Sequence, residues 1–557
     1  MAVDYLSALG AGSGLNVTQI VDALVDAERV PKQTKIDAEK ETATVKISAL
    51  GTLKNELGIF NTNAAAFDGQ TGLSLSSSTS NVALTRTDSS LASEFSHTIN
   101  VSQIAQAQVL NFDNNNSGFS STTADIGIDE LSFRFGTWSG TNFTANSDYA
   151  SATTLNFTAG ATSLTDVRDA INNAGIGITA SIIEVAEDNF SLMVKSTVGA
   201  DMALRVKSHL SGVENNILKY NPGNVASLAD TASQVISAGD AKFTVDGIEV
   251  ERGSNTITDL FSGITMELAS ITASDIGTDQ TISSSYSQTD ALSTLETVVT
   301  EINYLLSFLK EQSKPGANGE DGGPLNGDHF IRYLENKIKS LTSTAIVGYD
   351  NADIYLSNFG VVTELDGTLS IDETRFSEYF AENPEHFAAV TTDMIRTGDA
   401  GVTGSAPTDL FAPGVYNFNL SSGTATLTDA DLSSDTMSAG SDKYGYAGTN
   451  IGATGLLLET TKTSVSTDVY MGRSILATLS NYIEDVLMMN GDIDKKVVTL
   501  EDSVDSLIEE QEALDLQIES SRALYLQKFT AMQTAVSSFN KTGEFLTNLI
   551  DSWNSKN

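Results

Sequence analysis

Residues 497–539 read VVTLEDSVDSLIEEQEALDLQIESSRALYLQKFTAMQTAVSSF, and their apolar side chains recur at a regular interval. In steps of seven from Leu476 to Phe539, 8 of 10 positions are apolar, and so are 7 of the 9 positions that lie three residues later. A seven-residue repeat held over this length predicts a long coiled-coil helix. The expected seam includes Val497, Leu500, Val504, Leu507, Leu514 and Ile518.

Three residues weaken this repeat. Gly491 costs about 1 kcal/mol inside a helix, so residues 489–492 also fit a turn between two helices. Asn490 and Gln511 fall at seam positions, where a polar side chain sets the register of the pairing at some cost in stability.

The N-terminal end carries a matching apolar pattern. Asn16 is placed to cap a helix. The residues that share a face are Ile20, Leu24 and Ala27 before Pro31, and Ile36, Ala43, Leu50, Leu53, Leu57, Phe60, Ala64 and Phe67 after it. Because neither end can bury its stripe alone, we expect residues 36–67 to pack antiparallel or side by side with residues 497–539.

The middle of the chain is then a large insertion between two helical ends. Period-two patterns and a strong hairpin signal at Asp246-Gly247 predict strands in its first part. We therefore predict an α+β multidomain protein in which the N- and C-terminal helices form a coiled-coil leg and β-rich domains are inserted between them. The expected segments are a helical leg at 1–78, β-rich domains at 79–287, a helical core with a hairpin at 288–396, a β-rich insertion at 397–471, and a coiled-coil leg at 472–557.

Charge and composition exclude several partners. The chain has 31 basic and 72 acidic residues, a net charge of −41. This field repels phosphate backbones and anionic membrane surfaces, so we expect no nucleic acid partner. With no cysteine and four histidines, neither a disulfide framework nor a thiolate zinc site is available. No apolar run is long enough for membrane insertion, and residues 1–16 do not resemble a Sec-type signal peptide.

Searches for catalytic motifs return nothing convincing. The segment from Asp113 starts like a calcium loop but has Ala124 where the bidentate glutamate belongs. Residues 429–435 form an acidic turn that is typical of a solvated loop. Residues 10–14 are glycine-rich but follow no strand, which excludes a dinucleotide fingerprint, and His97 lies in a predicted strand. We expect no enzyme activity, no cofactor and no metal.

Several segments together resemble the flagellar hook-associated protein 2 family, the bacterial flagellar filament cap proteins. The matching segments are Leu9–Asn16 with the helix that follows, Phe243–Gly247, Gly323–Asp328, Asp366–Asp372 and the closing run Tyr525–Leu549. The segment Leu164–Val194 is similar to a repeat shared by hook-associated proteins and flagellins. The matches follow the order of the family and cover both ends and the 240–375 core.

The resemblance implies a secreted, extracellular protein at the tip of the bacterial flagellum. Such proteins form a ring, usually of five copies, that retains exported flagellin and promotes its folding and insertion as the filament elongates. The implied partners are flagellin, the filament end, other copies of the chain, the hook-associated junction proteins, an export chaperone and the type III export apparatus. The alternative is a surface-exposed adhesin or a flagellin-like filament subunit.

Two further expectations concern contacts. Residues expected to touch the filament are Ile20, Val21, Leu24, Phe539, Phe545, Leu546, Leu549, Ile550 and Trp553. The last four recur at helical spacing after Gly543, which is typical of a helix that orders on a partner groove. Because the acidic leg helices repel one another, we expect the ring to be held by residues 288–396 and the adjoining β domain, and to persist without residues 1–35 and 476–557.

Overall fold

The computed structural model describes residues 16–88, 93–114, 117–149, 151–222, 232–269, 276–316, 322–407 and 411–554. A 50-residue helix, α1 (Val17–Ala66), lies at one end of this chain and a 63-residue helix, α8 (Asp492–Asn554), at the other. The helices between them are α2 (Leu164–Asn173), α3 (Gln288–Ser313), α4 (His329–Thr342), α5 (Glu373–Glu382), α6 (Ala388–Thr391) and α7 (Ile475–Leu487), with 3-10 turns at Ala200–Met202 and Pro384–Phe387. The predicted fold class is confirmed, since long helices at both ends enclose β-sheets.

The start of each leg helix is marked by a local sequence signal. The side chain of Asn16 accepts a hydrogen bond from the backbone N–H of Gln19 at 3.2 Å and caps α1. Pro31 lies inside α1, which continues through it, so the two apolar stripes on either side of this residue belong to one helix. Asn490 has a φ of +62° and lies with Gly491 in the turn between α7 and α8, as the glycine penalty allowed.

The first β-body follows α1 and is antiparallel throughout. Its five-stranded sheet has the order Leu73–Ser77, Asp279–Tyr286, Phe95–Gln103, Ala241–Val245 and Ile248–Arg252, and its three-stranded sheet has the order Thr256–Phe261, Ile264–Leu268 and Val82–Arg86. Ile99, Phe243 and Met266 are among the buried residues that join the two sheets. The predicted hairpin at Asp246-Gly247 is confirmed, with Val245 paired to Ile248.

A second β-body is inserted between the strands Phe95–Gln103 and Ala241–Val245 of the first. One of its sheets has the order Val213–Tyr220, Ala203–Leu210, Glu130–Ser139 and Asn142–Ala145, with Thr153–Asn156 also paired to Glu130–Ser139; the other has the order Ala232–Ile236, Ala107–Phe112, Asn189–Val198 and Thr179–Ala186. Helix α2 completes its core through Leu164, Val167 and Ile171. The predicted 79–287 segment therefore contains two separate cores.

A third β-body lies between the central helices and α7. Its larger sheet has the order Met394–Thr397, Val465–Gly472, Gly414–Ser421, Thr424–Thr428 and Ser434–Thr436, and its smaller sheet has the order Thr403–Ser405, Leu457–Glu459, Lys443–Gly445 and Ser438–Ala439. A two-stranded hairpin, Val361–Thr363 with Leu369–Ile371, packs instead against the helices.

The largest hydrophobic core extends across the expected segment boundaries. It joins residues 49–64 of α1 with α3, α4 and α5, and it also includes Leu476, Leu479 and Ile483 of α7 and Ile493 at the start of α8. The helices of 288–396 therefore share one core with both leg segments. Removing residues 476–557 would take buried residues out of this core, and the expectation that the ring persists without them stays a prediction. Across the described ranges, no helix has the length and apolar character needed to span a bilayer.

Candidate interaction surface on the terminal helices

Helices α1 and α8 run antiparallel, in a register marked by polar contacts. Arg522 donates to Asp22 at 2.6 Å, Arg29 donates to Asp515 at 2.8 Å, and residue 33 faces residue 511. Each step forward along α1 is thus matched by an equal step back along α8. The ion pairs are about half exposed, where such pairs contribute at most about 1 kcal/mol. They set the register more than they stabilise the pair.

An apolar seam lies beneath these ion pairs. Its buried residues are Val17, Val21, Val25 and Ile36 on α1 and Leu507, Leu514 and Ile518 on α8, with Tyr525, Leu526 and Phe529 partly buried against them. Within this seam Gln511 donates to Gln33 at 2.8 Å, and the two amides also bond in the reverse sense. This reciprocal pairing satisfies the polar group that the repeat placed at a seam position.

Nearer the core, the same two helices are held differently. Val497 and Leu500 pack against the large central core, while Val504 is half-buried between the two clusters. Lys54 donates to Asp494 at 2.6 Å, and this hydrogen bond holds the pKa of the Asp494 carboxyl below its ordinary value. The pairing of residues 36–67 with α8 therefore involves only the first part of α8. Residues 17–36 pair with residues 507–529.

The N-terminal contact residues are placed differently from the prediction. Val21 is completely buried in the seam, while Leu24 is 40% exposed and Ile20 is intermediate. The apolar stripe of this helix runs through Val17, Val21 and Val25 at intervals of four, a spacing that was available in the sequence. Val21 is thus covered by α8 of its own chain, and its assignment as a partner contact stays a prediction. The Leu9–Asn16 motif lies, apart from Asn16, outside the described residues.

The C-terminal part of α8 is the most exposed apolar surface of the leg. Every residue from Ser538 to Asn554 is exposed. The large apolar side chains here are Phe539 at 76%, Phe545 at 64%, Leu546 at 52%, Leu549 at 42%, Ile550 at 56% and Trp553 at 75% exposed. Scattered exposed apolar residues are ordinary, but a contiguous set marks an interaction site. We call residues 538–554 the distal segment.

The distal segment also differs in charge from the rest of α8. Its ionisable residues are Lys541, Glu544 and Asp551, whereas α8 up to Phe529 has ten acidic residues and four basic ones. A nearly neutral apolar helix face favours burial in an apolar groove over a purely electrostatic contact. Its assignment as a contact surface stays a prediction.

One cleft brings several acidic side chains together, and the most buried of them has a structural partner. A cleft of about 310 Å³ is lined by Asp68, Asp88 and Asp393. Burial raises the pKa of Asp393, whose Oδ1 accepts the N–H of Ser474 at 2.8 Å, at the start of α7. In the described parts of the chain, no three side chains of the metal-binding types come together. The carboxyl of Asp393 therefore holds the start of helix α7 through this hydrogen bond.

The other sequence candidates are also accounted for. His97 Nδ1 lies 2.7 Å from Asp246 Oδ2, and its ring stacks on Phe261 at 5.2 Å between centroids. Asp429 accepts the N–H groups of Asp431 and Ser433, which closes the acidic turn on itself. Residues 115–116 of the calcium-like loop and the glycines at 10–14 lie outside the described residues.

Comparisons with known proteins point to one family. The model for the flagellar hook-associated protein 2 C-terminus matches residues 238–541, and the model for its N-terminus matches residues 13–108. The chain is 27% identical to flagellar hook-associated protein 2 of Escherichia coli K12 over 412 residues, which cover 72% of this chain and 83% of the relative. It is 26% identical to the B-type protein of Pseudomonas aeruginosa over 417 residues, covering 71% and 81%.

One solved structure shares the overall fold. It is the crystal structure of the D1-D2-D3 domains of the flagellar cap protein FliD from Escherichia coli, with a TM-score of 0.53 and 20% identity, and the match covers 81% of this chain and 99% of that one. At this identity the likeness speaks for the fold alone.

Proposed function

The chain belongs to the flagellar hook-associated protein 2 family, and from this membership we propose that it caps the distal end of the bacterial flagellar filament. It retains exported flagellin there and promotes the folding and insertion of each subunit. The observation that carries the proposal is the distal segment, an apolar helix end presented at the tip of an antiparallel leg. No covalent chemistry is needed for this role.

The length and chemistry of the distal segment support insertion into the filament end. Its 17 residues span about 25 Å at 1.5 Å per residue. Leu546, Leu549, Ile550 and Trp553 lie on one side at helical spacing, which suits docking in an apolar groove. The α1–α8 seam holds the base of this helix to the body of the protein. The leg therefore connects the β-bodies of the protein to the filament end.

The wider assembly follows from the same role. We place the protein outside the cell, at the filament tip, as a ring of identical copies with five as the expected number. Its partners are flagellin, the filament end and the hook-associated junction proteins, and it reaches the tip through the type III export apparatus with an export chaperone. The family assignment does not favour an adhesin or a flagellin-like shaft subunit.

The experiment uses a deletion strain and complementation. We expect loss of the chain to leave short or absent filaments and to release flagellin monomers into the medium, and the full chain to restore both. Electron microscopy with a tagged chain should find label at filament tips only. Label along the whole shaft would contradict the cap function and support a filament subunit.

A further inference from the structure

The hairpin of the central domain ends in an exposed leucine that its turn does not use. Leu365 is fully exposed at the tip. The turn is held by its neighbours: Asp366 Oδ1 accepts the N–H and hydroxyl of Thr368 at 3.0 and 2.7 Å, and the Glu364 N–H donates to the Thr368 carbonyl at 2.8 Å. Turn positions favour small or polar residues. The leucine is therefore an apolar knob held out in solvent between two acidic residues.

A cleft of complementary character lies at the base of the same hairpin. Its volume is about 260 Å³, and its walls combine the apolar side chains of Leu356, Val361, Val362 and Leu369 with Tyr355, Arg375 and four serine and threonine residues. Apolar cavities of about 150 Å³ hold a benzene ring, so this cleft has room for the side chain of a leucine. Leu365 of the same chain does not fill it, because that side chain points into solvent.

Charge adds a second match between knob and cleft. Arg375, at the start of α5, lines the cleft and is exposed. Within the described ranges its guanidinium forms no ion pair. The knob carries Glu364 and Asp366, both exposed, on either side of the leucine. In a chain of net charge −41, two copies repel each other, so contact between copies needs a local pairing of opposite charges.

We propose that Leu365 of one copy enters this cleft of a neighbouring copy, with the acidic tip facing Arg375. The inference rests on the proposed function, since a cap is a ring of identical copies, and it names where those copies touch. Because the knob and the cleft are different surfaces of one chain, each copy gives one contact and receives one. Such heterologous contacts generate a closed ring when the rotation closes.

The test exploits the absence of cysteine from the chain. Differently tagged Leu365→Cys and Ser357→Cys copies are expressed together in flagellated cells, the intact filaments are oxidised, and the disulfide-linked product is measured. Ser357 lines the cleft. The control pairs Ser357→Cys with Leu432→Cys, an exposed leucine (84%) in the third β-body. We expect at least a tenfold excess of the mixed product over the control.

A charge reversal supplies the second arm. Arg375→Glu should weaken association of the purified chain by about tenfold in light scattering, and adding Glu364→Lys should restore it, since the opposite charges are again paired. Linked product at the control level in cells with normal filaments would overturn the interface and leave the cap function standing. Normal filaments without the protein would instead overturn the function.

Discussion

The two ends of α8 have similar apolar spacing but differ in burial. Leu514, in the half that faces α1, is 4% exposed, while Leu546 in the distal segment is 52% exposed. Both lie on the same 63-residue helix. The difference comes from the partner, because α1 covers one half and no described residue covers the other. An apolar repeat thus predicts that a helix needs a partner without identifying that partner.

Removing the distal segment should have the largest effect of the changes considered. Deleting residues 538–557 should abolish filament growth and leave the protein folded, since residues 538–554 contribute no buried side chain. Swimming assays and electron microscopy measure the first effect, and circular dichroism of the purified protein measures the second. Normal motility of the truncated strain would contradict the assignment of this surface.

A matched pair of substitutions sharpens the same point. Leu546→Ser with Ile550→Ser should release flagellin into the medium, because both remove apolar surface needed for docking. Thr547→Ser with Asn548→Ser, on the same turn of the helix, should leave filament growth unchanged. Equal defects in both variants would indicate damage to the helix itself.

The leg seam offers the next largest effect. Leu514→Ala should destabilise the leg by about 2–5 kcal/mol, the usual cost of truncating a buried leucine. Leu516, two residues away, is 69% exposed, so Leu516→Ala should stay within about 0.5 kcal/mol of the parent. Amide hydrogen exchange across residues 17–36 and 507–529 measures both. A similar loss of protection in both variants would place Leu516 at an unrecognised contact.

The polar pair in the seam should behave as a unit. Gln511→Leu alone leaves the Oε1 of Gln33 without its donor, while its Nε2 still donates to Asp37 at 2.9 Å. At this half-buried site the cost should be about 1 kcal/mol. The double variant with Gln33→Leu should recover most of that loss. A double-mutant cycle on leg stability tests this, and simple additivity of the two single changes would show that the amides are not coupled.

The ion pairs should give smaller effects. Arg29→Ala, which removes the pair with Asp515, should cost less than about 1 kcal/mol at physiological salt, and the difference should shrink at 1 M salt, where the Debye length is about 3 Å. Hydrogen exchange at low and high salt measures it. A cost that does not depend on salt would show packing by the arginine stem.

The smallest expected effect is on the stability of the leg at acidic pH. The hydrogen bond from Lys54 lowers the pKa of Asp494, so its contribution is present above the unfolded value of about 3.9 and is lost as pH falls through the folded value. Asp494→Asn should therefore remove this small contribution at neutral pH, have little effect below the folded pKa, and flatten the loss of leg stability on the acid side. An unchanged acid profile would show that this carboxylate does not matter.

The helical ends were predictable because their signals are local or periodic. The cap at Asn16, the turn at Gly491 and the seam residues Leu507, Leu514 and Ile518 follow from capping, glycine entropy and the seven-residue repeat. Pro31 does not interrupt the first of these helices, since α1 runs through it while packed against α8. The stripe of Val17, Val21 and Val25 was missed because the equally apolar Ile20 and Leu24 compete with it in the sequence.

By itself the sequence determined that the protein has helical ends with apolar stripes around a β-rich middle, and its family segments indicated the role. Only the tertiary structure decided which stripes meet, that 288–396 shares one core with both leg segments, and that Leu365 stands in solvent beside an apolar cleft. The physical reason is that periodicity records the need of an element for burial, whereas the choice among equivalent partners depends on contacts between residues hundreds of positions apart.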